Sequence, residues 1–109
     1  MGKIIKTQHT PGPWRIGYYR PADGDEALAV WSESIKEGEK GHPVCLVSTV
    51  KKMDERDEAN ARLIAAAPEL LEACKELVHS LEWEVKRSGT TYFGFEAAKA
   101  AIKKAEVTL

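Results

Sequence analysis

The chain has 109 residues, 43% of them hydrophobic and 30% charged, and its 16 Lys+Arg against 17 Asp+Glu leave a formal net charge of −1. This balance suits one small globular domain, residues 1–109, and excludes a disordered chain. It also argues against general attraction to duplex nucleic acid or an anionic membrane, which both recruit basic patches.

No apolar run approaches the roughly 20 residues that cross a bilayer. The opening MGKIIKTQHT lacks the apolar stretch of a secretory signal. Cys45 and Cys74 are single and far apart, matching no zinc or redox spacing. A reduced, cytoplasmic protein is expected.

The predicted elements run strands first, helices second. Ile4 and Ile5 suggest a short edge strand. HTPGPW (9–14) follows. Its two prolines fix φ and lack N–H groups, so the segment is stiff, bent and delivers Trp14 to a set place. WRIGYYR (14–20) alternates Trp14, Ile16 and Tyr18 against Arg15, Gly17 and Tyr19. PADGDE (21–26) carries turn chemistry, ALAVWSES (27–34) is a second strand, and VCLVSTV (44–50) a third. Residues 53–67 read as an alanine-rich helix with acids at its start, and 68–87 as a second helix opened by Pro68. The stripe of that second helix is Leu70, Leu71, Cys74, Leu77, Val78, Leu81 and Val85. Gly89 stops it, a threonine of SGTT caps a third helix over 92–107, and Phe95, Ala98, Ile102 and Ala105 of that helix face inward. The expected fold is α+β: a small antiparallel sheet of three to four strands (1–50), then a C-terminal helical hairpin (53–107).

Some polar and aromatic residues ask for partners. At 100° per residue, Asn60 sits amid Leu63, Ile64 and Ala67, with Arg56 on the same face and Arg62 pointing away. A buried asparagine must be hydrogen-bonded. It either ties down a loop such as TPGP or lines a cleft with Arg56. Trp14 likewise fits a core position or a ligand site. The middle strands look apolar on both faces, and one hairpin covers only one of them. The face with Tyr19 and Trp31, together with Trp83 opposite its helix stripe, therefore points to a homo-oligomer, dimer or tetramer.

Catalytic constellations are weak. His42 and Cys45 lie an odd number of positions apart, His9, His42, Cys45 and Cys74 share no metal-ligand spacing, and His79 falls on a polar helix side. The acids of 51–58 sit among basic residues, and no phosphate-cradling glycine loop is present. No enzyme, cofactor or metal is expected.

HTPGPW before a strand, followed by ANARLIAAAPELLEA (59–73), resembles a common family of small phage and prophage proteins. In size and strand-then-helix order, that family is similar to phage counter-defence sponges. The resemblance implies a protein that sequesters, without cleaving it, a cyclic nucleotide immune signal: a cyclic oligonucleotide of CBASS or a cyclic ADP-ribose isomer of Thoeris. Stacking aromatics and one or two arginines per protomer suffice for such a ligand. On this reading the ligand-binding residues are His9, Thr10, Gly12, Trp14, Tyr18, Arg56, Asn60 and Arg62. Two alternatives stand beside it: a module that inhibits a host protein by direct contact, and an accessory protein of phage replication.

Overall fold

The computed structural model describes residues 9–22, 24–34 and 41–106. Three strands, β1 (Trp14–Tyr19), β2 (Ala27–Ser32) and β3 (Cys45–Thr49), form an antiparallel sheet in the order β1-β2-β3. A 3-10 turn (Val50–Lys52) leads into α1 (Glu55–Ala65), α2 (Ala67–Ser88) and α3 (Phe95–Ala105). The fold is the expected α+β arrangement of sheet, then helices. The suggested strand at Ile4 and Ile5 lies outside the described residues. Two compact units divide the chain, one of Thr10–Glu69 and one that includes the chain from Leu70 onward.

In the first unit β2 is the central strand, and its burial shows it: Ala27, Leu28, Ala29, Val30 and Ser32 are all buried. Antiparallel partners share a face. Trp14, Ile16 and Tyr18 therefore lie with Ser32, Val30 and Leu28, while Arg15, Gly17 and Tyr19 lie with Trp31, Ala29 and Ala27. On the other side, Val30 pairs with Cys45 and Ala29 with Leu46, but a bulge between Leu28 and Ala29 makes Leu28 pair with Ser48. The bulge absorbs Val47 and reverses the facing of the rest of β3. The simple alternation expected over 44–50 is thus kept only in its first half.

Helix α1 packs against all three strands. It starts in a reciprocal capping box, with Asp57 N–H donating to Asp54 Oδ1 at 3.0 Å and Asp54 N–H to Asp57 Oδ2 at 3.1 Å. Its packed side differs from the one expected. Ala61 is fully buried and Asp57, Ile64 and Ala65 are half-buried, whereas Asn60, Arg56, Arg62 and Leu63 are exposed. The methyl group of Ala61 lets the helix backbone approach the sheet closely. That close approach, rather than the bulk of Leu63, sets the rotation about the helix axis.

The described residues of the second unit from Leu70 onward form a helical hairpin. Helix α2 ends where Gly89, at φ 72°, turns its N–H to Val85 O at 2.9 Å. Helix α3 begins later than the expected 92, and its N-cap is Gly94 at φ 83° rather than a threonine. Thr90 is instead engaged by Ser88, whose hydroxyl lies 3.0 Å from Thr90 Oγ1. Leu71, Cys74, Val78, Leu81 and Val85 are half-buried along α2, but Leu70 and Leu77 of the expected stripe stay 50% and 64% exposed. On α3, Phe95 is buried, Ala98 and Ile102 are half-buried, and Ala105 is exposed. Lys75 Nζ meets Glu106 Oε1 at 2.8 Å, joining α2 to the end of α3.

Candidate functional site

From Thr10 to Trp14 the HTPGPW segment is tied into its own unit by the Trp14 indole N–H and three backbone carbonyls. The indole N–H of Trp14 donates to Thr10 O at 3.1 Å. The buried Ser32 hydroxyl donates to Pro11 O at 2.9 Å, and Glu33 N–H to Pro13 O at the same distance. Gly12 lies against Pro68, close enough that a Cβ on it would sit 2.7 Å from Pro68 Cβ. Thr10, Gly12 and Trp14 are thus brought together as a clamp that ties β1 to the end of β2 and to the α1–α2 junction. Ser32 shares its face with Val30, so this clamp lies on the sheet face that carries Trp14, Ile16 and Tyr18.

The other candidate residues are not gathered into it. His9 is exposed, and Tyr18, on the Trp14 face, is 54% exposed. Arg56, Asn60 and Arg62 line the outside of α1. Among the described residues no hydrogen bond links these three to the 10–13 segment. The burial expected for Asn60 is therefore replaced by solvent exposure, because the packed side of α1 is centred on Ala61 one position on.

The opposite sheet face carries a tighter cluster. Trp31 lies across the backbone of β1 at Gly17, where an added Cβ would meet Trp31 Cδ1 at 3.0 Å and Arg15 Nη1 at 2.8 Å. Gly17 is bare because the indole occupies the space a side chain would need, a cross-strand cover of an edge-strand glycine. Arg15 Cζ lies 5.9 Å from the Trp31 ring centroid, and Tyr19 meets that ring at 6.2 Å with planes tilted by 46°. Among the described residues Arg15 makes no salt bridge. Leu46, 55% exposed, borders the same face across Ala29.

The chain matches the model of the Salmonella phage P22 protein Y8K6 family over residues 1–108. It belongs to that family. No curated protein and no solved structure matches it. Family membership spans both motifs, and the structure shows what joins them: Gly12 of the first rests on Pro68 of the second.

Of the sheet-face cluster, sequence reasoning placed Tyr19 and Trp31 on one face but missed Arg15 as their partner. The available signal was Gly17, a glycine in the middle of a strand with aromatic residues in phase on either side. Among the described residues no group of three or more His, Cys, Asp or Glu comes together as a metal site. No described helix is long and apolar enough to cross a membrane.

Proposed function

We propose that this phage-family protein binds and sequesters a cyclic nucleotide immune signal, a cyclic oligonucleotide or a cyclic ADP-ribose isomer, without cleaving it. The observation that carries this reading is the Arg15–Trp31–Tyr19 cluster, gathered on one face of the sheet over Gly17. A base stacked on an aromatic side chain gains roughly 1–3 kcal/mol. An arginine beside that ring can turn its planar fork toward a phosphate. The cluster offers both without a strongly basic surface, in keeping with the net charge of −1. Sequestration requires no turnover, so the bound nucleotide is recovered intact on heating. The 10–14 clamp supports the sheet end from the other face, and its Trp14 indole N–H and its Thr10, Pro11 and Pro13 carbonyls are already paired.

The test is a thermal-shift panel of cyclic di- and trinucleotides and cyclic ADP-ribose isomers. A true ligand at about 100 times its Kd adds roughly 2.7 kcal/mol of stability. Trp31→Ala and Arg15→Ala each weaken that ligand at least about tenfold, or 1.4 kcal/mol. Thr10→Ala, Arg56→Ala and Arg62→Ala bind as the parent does. No stabilisation by any member of the panel sinks the reading. It would favour the direct-contact module, for which the fully exposed Phe93 is the supporting residue.

A further inference from the structure

We infer that the C-terminal half of α2 carries a second ligand site, an open cavity over Trp83 that takes a ribonucleoside monophosphate. This stands independently of the sheet-face cluster, with which it shares no residue.

The cavity has a volume of about 360 Å³, and among the described residues its lining is His79, Ser80, Glu82, Trp83 and Lys86. Ligand cavities run from about 300 to about 1,000 Å³, so this one suits a single nucleotide and not a cyclic oligonucleotide. Its floor is aromatic. Trp83 is 65% exposed, yet its ring is held. Long side chains on a helix lean toward its N-terminus. Arg87 accordingly reaches back over the indole, its Cζ 5.0 Å from the ring centroid, and is itself bonded to Glu84 Oε1 at 2.7 Å. Arg87 does not line the cavity; it backs the ring. A flat ligand therefore meets an indole that is already ordered, which lowers the cost of binding.

The charges around that ring name the ligand. Glu82 and Lys86 stand one turn apart on α2, a spacing at which helices close ion pairs. Among the described residues neither takes part in a salt bridge. Both therefore keep their charges for a third group. Lys86 and His79, seven residues apart, fall within about 20° of each other on the helix. Together they bring an ammonium and a ring N–H, donors that suit a phosphate. Ser80 donates its hydroxyl to Glu76 O at 3.0 Å and so offers the cavity an acceptor alone. The Glu82 carboxylate, also an acceptor, suits ribose hydroxyls, as acidic side chains do in dinucleotide sites. The indole takes the base by stacking. A free base lacks the phosphate, and inorganic phosphate lacks the ring. A ribonucleotide uses all three features.

Titration of AMP into the full chain tests this by NMR, read at the indole N–H resonances of its three tryptophans. The Trp83 resonance is assigned by its loss in Trp83→Phe, and circular dichroism confirms that each variant stays folded. AMP moves the Trp83 resonance along a saturating curve and leaves that of Trp31, in the sheet-face cluster, where it was. Adenosine, which lacks the phosphate, binds at least about tenfold more weakly, and Lys86→Glu weakens AMP to the same degree. Glu82→Gln abolishes the preference for AMP over its 2′-deoxy form. The inference is overturned if the Trp83 resonance does not move or never saturates, or if AMP moves that of Trp31 instead. It is equally overturned if adenosine matches AMP, or if Lys86→Glu or Glu82→Gln behaves as the parent does.

Discussion

Gly12 and Pro68 touch: a Cβ on Gly12 would lie 2.7 Å from Pro68 Cβ and 3.1 Å from its Cγ. Fifty-six positions apart in sequence, they bring the proline-rich turn before β1 onto the junction of α1 and α2. Gly12→Ala forces that contact apart, and overpacking of this kind costs about 1–3 kcal/mol. Urea denaturation of the variant therefore gives a lower midpoint with an unchanged slope. A midpoint equal to the parent's means that the turn and the junction do not bear on each other.

The rotation of α1 separates two neighbouring positions. Asn60 is exposed, so Asn60→Ala changes stability by no more than about 0.5 kcal/mol. Ala61 is fully buried, so Ala61→Leu pushes the helix off the sheet at a cost of about 1–3 kcal/mol. Thermal unfolding of the pair decides the orientation. If Asn60→Ala proves the more damaging, the helix is turned the other way.

The indole of Trp31 rests where a side chain on Gly17 would go. Gly17→Ala displaces both Trp31 and the Arg15 guanidinium, since the added methyl would come within 3.0 Å of each. In a background with Trp14 and Trp83 replaced by phenylalanine, the expected readout is a shift in Trp31 emission together with lowered stability. An emission spectrum unmoved by Gly17→Ala places the ring elsewhere.

The Lys75–Glu106 contact has a sign in pH. The hydrogen bond to Glu106 raises the Lys75 pKa above its ordinary value, with the Glu106 and Glu72 charges adding to it and partial burial opposing it. A pKa raised on folding contributes stability that is fully present below the unfolded lysine value of about 10.4 and is lost as pH rises through the folded value. Amide exchange in the last turn of α3 is accordingly slower in the parent than in Glu106→Gln at about pH 8, a gap that closes in alkaline solution as the ammonium is lost. A gap that persists unchanged above the lysine range assigns it to something other than this ion pair.

Much of the fold was legible from sequence because it rests on local physics. Period-two alternation marked β1, the acids of 54–58 marked the α1 start, and Gly89 marked the α2 stop, each a property of a few neighbouring residues. The exposed Trp83, opposite the stripe of its own helix, was legible for the same reason. Tertiary contact decided the rest. The rotation of α1 follows from Ala61 permitting close approach to the sheet, which a hydrophobic pattern weighted by large side chains cannot register. The bulge opposite Leu28 reverses the facing of half of β3, and a pairing irregularity leaves no mark on either strand alone. The role of HTPGPW was likewise hidden. Its stiffness is written in its prolines, but its partners, Ser32 and Pro68, are distant in sequence, and only the folded chain shows that the Trp14 indole N–H and the Thr10, Pro11 and Pro13 carbonyls are already taken. The Arg15–Trp31–Tyr19 cluster lies between these cases: each residue's face follows from alternation, but their meeting over Gly17 depends on the register between two strands.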